Sequence, residues 1–134
     1  MLNPPGIMHT TKPRIMYIEK KAGALTGPGR IGRVTFNRTG RTLFYRDHVF
    51  RRIVGGGFKS NYIDDATGED YWISGCKRDG NDRMYSSPVP VEIDDDVREE
   101  YWCSIRNLPD QQHQKHTGTR PADRNSAARS GGIL

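Results

Sequence analysis

The stretch YWISGCKRDGNDR, Tyr71 to Arg83, sets a thiol beside two cations and a tight acidic turn. A nucleophilic cysteine needs a depressed pKa, supplied by a helix N-terminus, a nearby cation or a histidine base. On a strand, however, Lys77 points away from Cys76 and only Arg78 shares its side. Trp72, Ser74 and Cys76 then make one face of a half-buried strand, and the thiol reads as structural. An enzyme would need a concave site gathering Cys76, His48 and the acidic loops, and no spacing in the chain requires that they meet. Cys76, Cys103 and His48 lack a paired C-x-x-C spacing, and His113 and His116 stand in a polar stretch, so no metal site is expected.

Two further motifs suggest chemistry. Gly55-Gly56-Gly57 invites a phosphate-loop reading, but such a loop joins a strand to a helix. Here FKSNYID follows, a strand pattern, so the glycines are expected to let strands approach, bend or bulge. Asp64, Asp65, Glu69 and Asp70 crowd one loop, and Asp79 and Asp82 another. They lack the twelve-residue calcium-loop spacing and read as solvated turns.

Charge is the more informative feature. The net charge is +5. Residues 14–56 hold ten Lys/Arg against Glu19 and Asp47, a net of +8, while residues 57–108 carry a net of −6. Either the halves neutralise each other across the fold, or the first presents a basic face. Arginines are interleaved with Phe36, Phe44 and Tyr45, the combination that holds single-stranded nucleic acid by phosphate neutralisation and base stacking. The candidate residues are Arg33, Arg38, Arg41, Arg46, Arg51, Arg52 and Phe44. In RTLFYR, Leu43 and Tyr45 share one face, so one of the two aromatics should leave the main core.

These residues must be positioned by short strands. RIMYIEK (14–20), RIGRVTF (30–36), RTLFYR (41–46), VFRRI (49–53), FKSNYID (58–64), YWISGCKR (71–78) and VPVEID (89–94) alternate or are β-branched and aromatic. Asn37–Gly40, Asp47-His48, DATGED and Asp79-Gly80 supply turns between them. NDRMYSS is expected to resume a strand briefly after Asp79-Gly80. In DDDVREEYWCSIRNLP, Val97, Tyr101, Ile105 and Leu108 recur at helical spacing, with Trp102 widening the stripe. Asp94 to Asp96 suit a helix N-terminus, Asp96 with Glu99 fits a capping box, and Pro109 stops the helix.

The expected fold is therefore mainly β: an antiparallel meander of six or seven short strands, curled or closed into a small barrel, with one C-terminal amphipathic helix. Residues 1–13 and 110–134 have no periodic apolar pattern and are expected to be disordered arms around one domain, 14–109. No run of about 20 apolar residues marks a membrane helix. No signal peptide is visible, and two cysteines 27 positions apart suit a reducing cytoplasm.

The run RIGRVTFNRTGRTLFYRDHVFRRIVGGGFKSNYIDDATGEDYWISGCKRDGNDRMY, followed by VEIDDDVREEYW, resembles a group of short bacterial proteins of uncharacterised function. Their shared pattern is R-I-G-R-V-x-F-x-x-T-G-x-T-L-x-Y-R, then G-F-K-x-N-Y, G-E-x-Y-W-I-S-G and I-D-x-x-V-R-x-x-Y-W. The likeness covers residues 14–109 and neither arm, and it implies no function. This chain departs at Asp47-His48, where a glycine-containing turn is usual. Some of the group carry the label 1-deoxy-D-xylulose-5-phosphate synthase, a thiamine-diphosphate enzyme several times longer. Arg78-Asp79-Gly80-Asn81 holds only a fragment of that enzyme's cofactor motif, so no catalytic residue and no cofactor transfers. The expectation is a binding module rather than an enzyme, with a protein partner first and nucleic acid, through the basic residues above, as the alternative.

Overall fold

The structure is a computed structural model that describes residues 11–55 and 59–118. Among these residues the strands are β1 (Arg14–Lys20), β2 (Gly29–Phe36), β3 (Thr42–Tyr45), β4 (His48–Arg52), β5 (Tyr62–Asp64), β6 (Asp70–Gly75), β7 (Val91–Ile93) and β8 (His116–Thr117). β1 pairs with both β2 and β6, so the first six strands close an antiparallel barrel in chain order. Closure leaves the six without a free edge between β1 and β6.

β1 is the hinge of the architecture because it is buried on both faces. Met16 and Ile18 point into the barrel with Val34, Leu43, Tyr45, Phe50, Tyr62, Tyr71 and Ile73. Tyr17 points outward into a second core with Ile31, Val91, Ile93, Val97, Tyr101 and Trp102. The alternation read in β2 and β3 holds. Val34 is buried in the barrel, Arg33 lies outside it, Leu43 and Tyr45 point inward, and Phe44 is the aromatic that leaves the core, half-buried.

The second core is covered by one helical segment, α1, built of a 3-10 turn (Asp95–Val97), an α turn (Arg98–Glu100) and a π turn (Tyr101–Ile105). Val97, Tyr101, Trp102 and, in part, Ile105 face inward as their spacing predicts, but Leu108 is exposed beyond the end of the segment, and the regular helix and capping box do not form. Asp94 makes no side-chain cap. Its carboxylate instead accepts hydrogen bonds from Tyr45 Oη (2.6 Å) and Arg30 (2.8 Å) and pairs with Arg46 (3.0 Å). Asn107, at φ +56°, ends the segment, and the Leu108 N–H closes back on the Trp102 carbonyl.

Three details of the chain path correct the sequence reading. Residues 81–87 form no strand, and Asp79-Gly80 is a turn closed by Gly80 N–H on Lys77 O rather than a hairpin. Asp82 folds inward to accept the Lys77 N–H at 2.7 Å, which takes the chain off the sheet. β7 then returns in parallel beside the start of β2, pairing Arg30 with Glu92 and Ile31 with Ile93. Finally, the β3–β4 turn is Arg46-Asp47, one residue earlier than expected, with Arg46 at φ +53°.

Gly32 lets the two cores meet. A Cβ there would lie 2.4 Å from Tyr45 Cε1 and 2.7 Å from Asp94 Oδ2, so only glycine leaves room for the Tyr45–Asp94 bond to cross β2. A largely buried network centred on Glu19 braces the β1–β2 loop. Glu19 accepts from Tyr17 Oη (2.6 Å), Gly27 N–H (2.9 Å) and Arg83 (3.0 Å), with Lys21 at 3.5 Å.

The expected arms are partly ordered. Thr11 N–H bonds the Phe36 carbonyl, and within the expected C-terminal arm β8 pairs with β7 while Gln114 O accepts from Trp102 Nε1. The rest of those arms, residues 1–10 and 119–134, lies outside the described residues. No helix among the described residues is long and apolar enough to cross a membrane.

Candidate functional site

On every strand of the barrel, alternate residues point inward, and the inward row continues past the core to the mouth. At one end this row places Arg14 two residues before Met16 on β1, Phe36 two after Val34 on β2, and Arg52 two after Phe50 on β4. Tyr62, on β5, belongs to the barrel core and also reaches this mouth. These residues surround a cavity of about 530 Å³, together with Lys12, Asn37, Arg38 and Thr39 at its rim and Met16 and Ile73 at its floor.

The electrostatics of this mouth are one-sided. Lys12, Arg14, Arg38 and Arg52 line it, all exposed, and no acid among the described residues does. None of the four takes part in an ion pair among the described residues. Arg14 lies over the Phe36 ring and Arg52 over the Tyr62 ring, each at 5.8 Å. Such stacking holds a guanidinium by cation–π attraction without neutralising it.

The arginines singled out in the sequence therefore divide. Arg38 and Arg52 line the mouth, and Arg41 is exposed beside it, its carbonyl accepting the Arg52 N–H. Arg33 points outward and pairs with Asp96 and Glu100, Arg46 pairs with Asp94, and Arg51 pairs with Asp65. Phe44, on the outer face of β3, does not line the mouth. The charge split thus divides by residue: Arg33, Arg46 and Arg51 are neutralised by acids of the second half, and Arg38 and Arg52 stay exposed at the mouth. Lys12, Arg14 and Tyr62 are not among the candidate residues read from the sequence, and Phe36 is named there only as an aromatic between arginines. The signal for three of them was their place at the ends of the inward rows.

The other candidate chemistry is dispersed. His48 stacks between Tyr45 and Phe50, and its Nδ1 lies 2.9 Å from Asp64 Oδ2. Burial pushes the Asp64 carboxyl up, but His48 and the Ala66 and Thr67 amides more than offset it and hold it below the usual carboxylate range. Cys76 belongs to the second core, on the opposite side of the sheet from His48, and its Sγ lies 3.8 Å from the Ile15 carbonyl. Burial, with Asp82 nearby, pushes its thiol well above the ordinary range, the reverse of what a nucleophile needs. Cys76 and Cys103 are free thiols. Among the described residues no group of three His, Cys, Asp or Glu side chains is placed to hold a metal ion. Of the glycine triplet, Gly55 has φ +63°, and residues 56 and 57 lie outside the described residues.

The barrel's opposite mouth, about 160 Å³, is lined by Lys20, Arg30, Tyr45, His48, Phe50 and Tyr71. Its cations are already matched, Lys20 by Glu69 and Arg30 by Glu92 and Asp94. No family model, no curated protein and no solved structure matches this chain.

Proposed function

We propose that the protein is a non-catalytic binding module that takes single-stranded nucleic acid at the basic mouth of its barrel. The observation that supports this reading is the set of four exposed cations, Lys12, Arg14, Arg38 and Arg52, ringing an aromatic-walled cavity with no acid among its lining residues. Phosphates supply the missing counter-charge, and unstacked bases supply planar surface for the arginine and aromatic walls. Among the described residues, the large exposed apolar side chains that would favour a protein partner are Leu25, Val54, Ile63, Met84, Val89 and Leu108, spread over five separate segments of the chain.

The test is fluorescence anisotropy with labelled single-stranded RNA, single-stranded DNA and duplex DNA across a salt series. The reading expects single strands to bind more tightly than duplex, and binding to weaken in the double variant Arg38→Glu/Arg52→Glu. Reversing Arg33 and Arg51, which are already paired with acids, should have the smaller effect. Equal loss from both pairs of reversals would mean that net charge, not this mouth, holds the ligand.

A further inference from the structure

We infer that the mouth receives one unstacked nucleobase, held edge-inward between two arginine planes, with the adjoining phosphate against Lys12 and Arg38. This rests on the reading of the mouth as a nucleic-acid site and adds how that ligand is held.

Closure of the barrel sets the geometry of the mouth. The six strands follow one another around the ring in chain order, so β1 and β2 lie across the barrel from β4 and β5. Arg14 over Phe36 belongs to the first pair of strands, and Arg52 over Tyr62 to the second. Two arginine–aromatic pairs therefore face each other across the cavity. In each pair the guanidinium carbon stands over the ring, 5.8 Å from its centroid, so the pair offers a ligand an arginine beside an aromatic ring. A planar base stacks on a guanidinium as it does on an aromatic side chain.

The floor decides how the ligand enters. Met16 and Ile73 close the cavity from below, and the barrel interior beneath is filled by its core. A strand cannot thread through such a site; it can insert a base or an end. A base paired inside a duplex must first leave its stack and its partner, which disfavours duplex at this site. The cavity is open toward solvent, and its 530 Å³ leaves room for a small planar ligand entering from outside. Lys12 and Arg38, at the rim and not over a ring, are left for the phosphate.

The experiment compares two single-stranded oligonucleotides of about eight residues, one with bases and one wholly abasic, which carry the same phosphate charge. Each is titrated against the wild-type chain and the double variant Arg14→Lys/Arg52→Lys. Lysine keeps the charge and loses the plane. The inference expects the abasic strand to bind about five- to a hundred-fold more weakly to the wild type. It expects the lysine variant to lose affinity for the base-bearing strand, to bind the abasic strand as the wild type does, and to keep the same salt slope. Both arginines are exposed, and an unchanged thermal midpoint confirms that the variant is folded. Equal binding of the two strands by the wild type, or an unaltered affinity in the lysine variant, overturns base insertion while leaving the nucleic-acid reading intact. No binding of either strand at low salt overturns both.

Discussion

The crossing at Gly32 gives the most demanding prediction about the fold. Gly32→Ala places a methyl group 2.4 Å from Tyr45 Cε1 and 2.7 Å from Asp94 Oδ2. Neither neighbour can step aside freely, because Tyr45 is 6% exposed and Asp94 3%. The ring and the carboxylate must separate, which breaks their 2.6 Å bond. A hydrogen bond to a charged group contributes about 1.5–3 kcal/mol. The low end applies here, since Asp94 keeps Arg30 and Arg46. Overpacking adds about 1–3 kcal/mol, and the lower entropy of an unfolded alanine chain returns about 0.4–1 kcal/mol. The expected net cost is about 3 kcal/mol, against about 1.5 kcal/mol for Tyr45→Phe alone. In the Tyr45→Phe background the alanine should cost about 1.5 kcal/mol less than in the wild type, because the bond it breaks is already gone. Urea unfolding followed by the fluorescence of buried Trp102 measures all three. A cost below about 0.5 kcal/mol for Gly32→Ala, or strict additivity with Tyr45→Phe, would refute the crossing.

Three other outcomes follow from buried groups. Glu19→Ala leaves Lys21 and Arg83 buried without their shared carboxylate and should cost about 3–5 kcal/mol, read from the same urea transitions. Asp82 is 5% exposed, with Oδ2 lacking a hydrogen-bond partner, and burial raises its carboxyl above the usual range despite the Lys77 amide and Arg106. A raised pKa means that its contribution is fully present below the unfolded value of about 3.9 and is lost as pH rises through the folded value. Asp82→Asn should therefore be more stable than the wild type at pH 7, and thermal melts should show that advantage shrinking as the solution is acidified. Cys76 should alkylate with iodoacetamide far more slowly than a free peptide thiol at pH 8, and at the ordinary rate once urea unfolds the chain.

Much of the barrel was legible because its evidence is local. Alternation in RIGRVTF and RTLFYR assigns Val34, Leu43 and Tyr45 inward and Arg33 outward, and the DATGED turn falls between β5 and β6 as its glycine suggests. The parallel return of β7 was not legible, since its pairing with β2 depends on a second core that no local pattern announces. The helix stripe holds for Val97, Tyr101 and Trp102 but not for Leu108, which is exposed past the turn at Asn107, and the cap does not form: Asp94 is drawn away by Tyr45 and two arginines distant in sequence. The same limit governs the candidate site. Arg33, Arg46 and Arg51 look as available as Arg38 and Arg52 until Asp96, Asp94 and Asp65 fold against them. Arg14 and Lys12 passed unremarked because a strand's first residue and the segment before it gain meaning only when the barrel closes around them.

The central claim is that the basic mouth, whose four cations have no ion-pair partner among the described residues, binds single-stranded nucleic acid, and the salt dependence of binding tests this most directly. Two phosphate contacts, from Lys12 and Arg38, predict a slope of log affinity against log salt of about −1.4 for a single strand. Neutralising them as Lys12→Gln/Arg38→Gln should flatten it to near zero. Neutralising Arg33 and Arg51 instead should leave it near its original value. A slope that ignores Lys12 and Arg38, or that falls equally with either pair, would contradict the account.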